Sequence, residues 1–474
     1  MAAEEENKNK KKETPEAITQ IAVKGYKSIS EKQTIKIRPL TILAGANSSG
    51  KSSIMQPLLL LKQTLEESYD PGPLLLHGPN VKFTSAEQIF TKNVKTKQAL
   101  FFEIGIKIGT DFSILISYEL SANEPIKIRG MNLLEGEEIR STWRMDMTSD
   151  EIVKNTPFLQ KLTEKIFQFP NDEFKPKFSF TVVRNRCFLD LNMKMIMPSE
   201  KESEFEVRAI PFLFDTFPFG PFPFGTLFKN PKSKKFLYAQ FTQIIHLPGL
   251  RGNPERVYPV SAVGETFQGT FENYTASVIS NWQAGKKKEK IGNVAADLEK
   301  LGLTWKVAAK SLNDTQVELQ VGRLPHGAKG GAQDLVNIAD VGFGVSQTLP
   351  VIAALHAARP GQLVYLEQPE IHLHPRAQFA MAEVLADAAK RGVQVVAETH
   401  SSLLLLGIQA LAAEGKLAPD LVKLHWFSRG DDGAAKVTSA DLDEKGRFGN
   451  WPADFDNVEL YAQNRYLDAV EPST

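Results

Sequence analysis

Eight residues, Gly45-Ala46-Asn47-Ser48-Ser49-Gly50-Lys51-Ser52, satisfy every position of G-x-x-x-x-G-K-[ST], the spacing with which a glycine-rich loop wraps a chain of phosphates. Glycines let backbone N–H groups turn inward on the phosphate oxygens, Lys51 reaches the outer phosphates, and the Ser52 hydroxyl is placed to ligate Mg2+. Asn47, Ser48, Ser49, Gly50, Lys51, Ser52 and Ser53 are the predicted nucleotide-binding residues. A second group of chemistry-bearing residues follows much later. The apolar run 363–366 ends in Glu367-Gln368-Pro369-Glu370, where a nucleotide enzyme needs a carboxylate for magnesium and usually a base for water. Thirty residues on, the run 393–397 ends in Glu398-Thr399-His400-Ser401.

These residues need particular elements to hold them. Residues 40–44 read as a buried strand delivering the phosphate loop, and 55–65 as the helix leaving it, bent where Pro57 removes a hydrogen bond. Strand 363–366, a helix over 375–390 and strand 393–397 make a parallel crossover, which puts both acidic strand ends on one edge beside the loop. Upstream, Asp340-Val341-Gly342-Phe343-Gly344-Val345-Ser346-Gln347 leads into a helix over 348–358, a glycine-then-helix arrangement able to face an anion from outside.

The phosphate loop, the 342–347 segment, Leu-Glu-Gln-Pro-Glu-Ile-His-Leu-His-Pro at 366–375 and Glu-Thr-His-Ser at 398–401 together resemble the ABC-type ATPases of the SMC, Rad50 and OLD group. Within it the chain is most similar to the AAA-15/AAA-21 type with the C-terminal region DUF3696, sharing the opening Val23-Lys24-Gly25-Tyr26-Lys27-Ser28-Ile29 and the closing Trp451-Pro452 segment. The resemblance spans about residues 18–120 and 240–460. It implies ATP and Mg2+ as cofactors, with Lys51 on phosphate, Ser52 and Glu367 on magnesium, and His400 as the switch histidine sensing the terminal phosphate. Gly342, Gly344, Ser346 and Gln347 would match the signature loop that completes a second protomer's site, giving a dimer or higher even oligomer through an ATP sandwich.

Two departures matter. Leu-Ser-Gly-Gly-Gln is not present literally, which leaves open which of Gly342, Gly344 and Ser346 faces the phosphate. Gln368 stands where most such ATPases keep the glutamate that activates water, and an amide cannot accept a proton as a general base. Either hydrolysis is slow, or another carboxylate substitutes, with Glu370 and Glu398 the nearest candidates; Gln368 could still position water. The predicted catalytic set is therefore Glu367, Gln368, Glu370 and His400.

The implied fold is α/β, an ABC-type P-loop ATPase head with a mixed sheet and an irregular α+β insertion between its lobes. The expected division is a charged tail over 1–17, a first lobe over 18–124, an insertion over 125–240, a second lobe over 241–428 and a C-terminal region over 429–474. With 474 residues and 42% apolar content the chain has ample material for such cores. Lys plus Arg and Asp plus Glu balance at 56 each, so no global basic field advertises nucleic acid. Lys286, Lys287, Lys288 and Lys290 form a basic loop that is either solvated or a phosphate-backbone contact. A lone Cys187, read as a core residue, excludes an intrachain disulfide and fits a reducing cytoplasm. No apolar run reaches membrane-spanning length.

Within the insertion, residues 211–228 carry seven phenylalanines among prolines and glycines. They form a loop plugging the domain's own core, a partner or oligomer contact, or a membrane-touching loop. His372 and His374 have metal-ligand spacing but sit in the turn before Pro375, which suits a helix's first turn. Asp431, Asp432, Asp441 and Asp443 fall among glycine-rich turns rather than in a nuclease-like cluster. Residues 125–240 contain no sustained heptads for the coiled coils of SMC- and Rad50-like proteins, and the 74 residues after His400 are expected to be too few for the Toprim domain of OLD-type nucleases. By resemblance to the ATPases of Septu- and PARIS-type bacterial defence systems, a separate nuclease or toxin subunit is the expected partner. The alternatives are a nucleotide-gated scaffold with little hydrolysis and a DNA-binding repair-type clamp.

Overall fold

The computed structural model describes residues 16–91, 100–121, 124–157, 159–161, 163, 177–197, 203–209, 234–285, 287–324, 326–327, 333–449, 464–467 and 470. The chain opens with the antiparallel strands β1 (Ile18–Lys24) and β2 (Gln33–Lys36), then crosses to another sheet as β3 (Leu40–Gly45). Helix α1 (Lys51–Glu66) follows and runs on through Pro57, which is buried. Strands β4 (Leu100–Ile108), β5 (Phe112–Leu120), β6 (Lys127–Glu135) and β7 (Glu138–Trp143) return to the first sheet in the order β2-β1-β4-β5-β6-β7. Alternating burial along β4 and β5 explains the one-sided sheet: every second residue points into the core. β6 and β7 lie beyond residue 124 yet extend the same sheet to Trp143.

After the short helix α2 (Ser149–Lys154), β8 (Lys177–Asn185), β9 (Phe188–Met197) and β10 (Ser203–Ala209) form a separate antiparallel sheet. The sequence reads as one strand over 177–191; the structure breaks it into a hairpin at Arg186, whose φ of 53° reverses the chain. The phenylalanine-rich segment 211–228 and Trp451-Pro452 lie outside the described residues.

Helix α3 (Lys234–Thr242) leads into β11 (Ile245–Leu247). A four-stranded sheet is then built from β12 (Tyr258–Pro259), β13 (Val307–Asn313), β14 (Gln316–Gly322) and β15 (Leu335–Asn337), with α4 (Thr275–Ala284) and α5 (Lys288–Lys300) between its first two strands. Helix α5 claims part of the predicted basic loop. Lys290 turns inward, its ammonium 5.3 Å from the Trp282 ring centre and donating to the His356 carbonyl, so it is held by its own fold.

The remaining elements are α6 (Phe343–Ala357), β16 (Leu363–Glu367), α7 (Pro375–Lys390), β17 (Gln394–Thr399), α8 (Ser402–Ala413), β18 (Val422–Arg429) and β19 (Ala435–Ala440). They complete a six-stranded sheet, β11-β16-β17-β3-β18-β19, parallel except for β19. Its central strands are buried on both faces, which is why they read as continuous apolar runs. Leu43, Tyr365, Val396 and Phe427 face one core, shared with α1 and the first antiparallel sheet. Ile42, Val364, Leu366, Ala397 and Leu424 face the other, beneath α4 to α8. Cys187 is buried in the first core, where the Tyr118 hydroxyl donates to its carbonyl at 2.9 Å. No helix among the described residues is long and apolar enough to cross a membrane.

Candidate functional site

The phosphate loop is shaped by backbone that only particular residues tolerate. Gly45 has φ 145° and Gly50 φ 100°, and Ser48 takes the left-handed conformation at φ 60°. A Cβ on Gly45 would lie 2.2 Å from the Phe427 carbonyl oxygen, so the loop fits against β18 only with glycine there. Lys51 Nζ donates to the carbonyls of Gly45 at 3.0 Å and Ala46 at 2.7 Å, bridging the loop it closes. Burial pulls the Lys51 pKa down, against the opposing charge of Glu398. Asn47 and Ser48 are exposed, whereas Ser49 and Ser53 are buried. Ser52 Oγ donates to Glu398 Oε2 at 2.8 Å.

Register carries the acidic residues to this loop. Glu367 at the end of β16 pairs with Glu398 on β17, and Thr399 pairs with Ala44 on β3, so three strand ends meet at one edge. Glu367 Oε1 lies 3.2 Å from His246 Nε2, and its Oε2 accepts from the Gly249 amide at 3.1 Å. Burial pushes the Glu367 pKa up, but hydrogen bonds from His246 and the Gly249 amide, with the charge of Arg251, hold it below the usual value. Glu398 goes the other way. Burial, reinforced by the charge of Glu367, lifts it to about 7 despite hydrogen bonds from Tyr365 and Ser52.

Gln368 is held by its backbone. Its φ is 46°, its amide donates to the Glu398 carbonyl at 2.9 Å, and its carbonyl accepts from Arg251 Nη2 at 3.2 Å. Glu370 is 6% exposed and braces the neighbouring turn: its Oε1 accepts from Thr399 Oγ1 at 2.6 Å and from the His400 amide at 3.2 Å. Burial raises its pKa. His400 is half-buried, and burial together with the charge of Lys51 pulls its pKa down, which keeps the imidazole neutral at pH 7.

The 342–347 segment starts α6. Gly342 is its N-cap, without a side-chain cap, and is exposed together with Phe343. Gly344 is half-buried. Ser346 and Gln347 turn inward: Ser346 Oγ donates to the Phe343 carbonyl at 3.1 Å, and Gln347 Nε2 donates to the Gly252 carbonyl at 3.0 Å. His374 caps α7 by accepting from the Arg376 amide, and Pro375 occupies the first turn. Among the described residues, no group of three His, Cys, Asp or Glu side chains is placed to hold a metal by itself.

A family model described as "AAA ATPase domain" (AAA_15) matches residues 17–405, more than four-fifths of the 474-residue chain. The chain belongs to this family. No curated protein sequence matches it. Among solved structures it is similar to an SMC head bound to the C-winged helix domain of ScpA, with 15% identity, a TM-score of 0.41 and coverage of 90% of this chain and 98% of that one. It is also similar to the SMC head domain from Thermotoga maritima (10%, 0.38, covering 90% and 100%). A third is an SMC head with an extended coiled coil, derived from Pyrococcus furiosus and bound to the C-terminal domain of ScpA (12%, 0.41, covering 96% and 99%).

The residues of this AAA ATPase domain fit a magnesium triphosphate. Ser49 Oγ is buried without a hydrogen-bond partner, in a loop whose positive-φ glycines hold its backbone in the phosphate-wrapping shape. Mg2+ binds through one or two carboxylates plus phosphate oxygens rather than a full protein cage, in keeping with the small donor set of Ser52 and the acids beside it.

Sequence reasoning passed over three residues of the AAA ATPase site. Arg251, 8% exposed, bridges the carbonyls of Gln347, Glu367 and Gln368. His246 and Tyr365 hold the two carboxylates, and their rings stack 5.3 Å apart. Tyr365 sits within the apolar run that ends in Glu367, and only its register reveals a polar task. His246 and Arg251 lie more than a hundred residues from the acids they serve, with no spacing to link them.

Proposed function

We propose that this ATPase domain binds ATP with Mg2+ at residues 45–53 and acts as an ABC-type head. Two copies close over nucleotide, the Gly342–Gln347 segment of one facing the phosphate loop of the other. The observation that carries the reading is the meeting of Lys51 and Ser52 with Glu367, Glu398 and His400 at the ends of three neighbouring parallel strands. Ser52 and Glu367 would hold the magnesium, and Lys51 with the loop amides the phosphates. Bound magnesium neutralises phosphate charge and polarises the phosphoryl oxygens. His400, neutral and beside Lys51, is placed to donate or accept a hydrogen bond at the outer phosphate. The exposed start of α6, which no side chain caps, supports the trans contact, since a helix N-terminus attracts an anion.

Gln368 supports slow turnover. Its side chain cannot take a proton, and the adjacent Glu370 has one oxygen occupied by Thr399 and His400. The same observation favours the second reading, a nucleotide-gated scaffold that binds ATP and hydrolyses little of it. The resemblance to Septu- and PARIS-type ATPases extends the proposal to a separate nuclease or toxin subunit, coupled to nucleotide state in a cytoplasmic antiviral system, with residues 429–474 as the DUF3696-like region. A repair-type clamp on DNA is the weaker alternative, because Lys290 is engaged by Trp282 and His356.

Binding of a fluorescent ATP analogue tests the core claim. Wild type should bind, and Lys51→Ala should lose about tenfold or more in affinity, the equivalent of about 1.4 kcal/mol. A wild-type protein that binds no ATP sinks the proposal. Phosphate release then separates the two readings: Gln368→Glu should raise a slow wild-type rate, and a fast wild type would remove the scaffold.

A further inference from the structure

Four side chains form one block on the α1-facing side of the parallel sheet. His246 and Tyr365 are register partners on β11 and β16, Glu367 follows Tyr365 by two and shares its face, and Glu398 is the partner of Glu367 on β17. The His246 and Tyr365 rings are near parallel, at 11°. Each grips one carboxylate: His246 Nε2 lies 3.2 Å from Glu367 Oε1, and the Tyr365 hydroxyl donates to Glu398 Oε1.

The tautomer follows from the next shell. Asn80 Nδ2 sits 3.0 Å from His246 Nδ1 and also donates to the Gly269 carbonyl at 3.0 Å, which fixes the amide's orientation. His246 Nδ1 is then the acceptor, and its Nε2 proton points at Glu367. Glu398 receives the matching treatment from Tyr365, and its second oxygen meets Ser52 Oγ at 2.8 Å. Adjacent oxygens around Mg2+, at bonds of about 2.0–2.1 Å, are about 2.9 Å apart, so Ser52 and Glu398 already have the spacing of two ligands on one ion.

A merely structural polar link does not call for an acid here. Glu398 is 3% exposed, a second carboxylate stands beside it in register, and Lys51, the cation whose charge reaches it, gives its own hydrogen bonds to the Gly45 and Ala46 carbonyls. Burying a carboxylate in that way is costly, and an uncharged glutamine would reach both Tyr365 and Ser52. A cation between the strand ends removes the cost for both acids.

We propose that Glu398 is the second acidic member of the magnesium site, joining Ser52 and Glu367, with Tyr365 as its positioning residue as His246 is for Glu367. The inference rests on the reading that residues 45–53 bind a magnesium nucleotide. Its test is the metal dependence of ADP binding by the full-length chain, measured with fluorescent ADP in EDTA, Mg2+ or Mn2+, and by Mn2+ electron paramagnetic resonance with ADP present. Glu398→Gln should keep the metal-free ADP affinity and lose about 10- to 100-fold in Mn2+ affinity, the range for disturbed metal sites. Tyr365→Phe, which removes one hydroxyl and keeps the ring stack, should lose less of the metal affinity and none of the metal-free binding; it carries the test if Glu398→Gln does not fold. Wild-type Mn2+ affinity in both variants overturns the proposal while leaving the nucleotide reading intact. Absence of ADP binding by wild type overturns the nucleotide reading itself, and this inference with it.

Discussion

Arg251 ties the start of α6 to the end of β16, and removing it has a cost that can be worked out. Its Nη1 donates to the Gln347 carbonyl at 3.0 Å, and its Nη2 to the carbonyls of Glu367 at 2.9 Å and Gln368 at 3.2 Å. Burial pulls its pKa well below the ordinary guanidinium value, to about 10, with Glu272, Glu370 and Glu367 opposing. Holding the charge there therefore costs about 3 kcal/mol. Arg251→Met relieves that cost and removes three hydrogen bonds made by a charged donor, at about 2 kcal/mol each, while the Gln368 carbonyl keeps its bond from the Ile371 amide. The difference is a net loss of about 3 kcal/mol. Urea unfolding followed by tryptophan fluorescence should show the midpoint falling by about 1 M, for a slope near 3 kcal/mol per molar. Arg251→Lys keeps a buried charge yet cannot span three carbonyls, so it should be no more stable than the methionine variant. A midpoint for Arg251→Met within about 0.3 M of wild type would refute the reasoning, as would a lysine variant matching wild type.

Gly45→Ala should destabilise the protein by about 3 kcal/mol, from its φ of 145° and a Cβ placed 2.2 Å from the Phe427 oxygen; urea midpoints measure it, and a neutral result would mean the loop is not seated on β18. His425 predicts acid sensitivity. Burial holds its pKa down at about 4, although its ring is bonded to the Lys36 carbonyl and Ser439 hydroxyl, with Lys423, Asp441 and Arg38 nearby. The folded state thus binds fewer protons than the unfolded one, and the contribution, about 3 kcal/mol, is complete above pH 6.5 and lost as pH falls towards 4. His425→Gln should flatten the fall in urea midpoint between pH 7.5 and 5; a variant as acid-sensitive as wild type would assign that fall to other groups.

What the sequence showed was local. Residues 45–52, helix 375–390 and the strands ending in Glu367 and Glu398 announce themselves because loop chemistry and apolar periodicity are properties of consecutive residues. The break at Arg186 escaped because both arms of the hairpin are strand-like and no glycine marks the turn. The helical Lys288 escaped for a related reason: a lysine run looks solvated until Trp282 and His356 are known to receive one of its members. The clamps on the site are a matter of register. Nothing in residues 244–251 points to Glu367 until β11 pairs with β16.

Gln368 is the residue on which the two functional readings turn, and its backbone explains why a simple replacement of the missing acid is not built into the fold. The left-handed φ directs the chain away from β16 at the point where the Glu398 carbonyl and Arg251 both take hold of it. The same turn carries Glu370 against Thr399 and His400, where its Oε1 accepts from the Thr399 hydroxyl and the His400 amide. In the proposed site Glu370 would therefore act on the outer phosphate only through the position of His400. Of the acids at this edge, Glu398 alone touches a phosphate-loop side chain. On the proposed reading the carboxylates at this edge serve metal and geometry rather than proton transfer from water, which favours holding the nucleotide over consuming it.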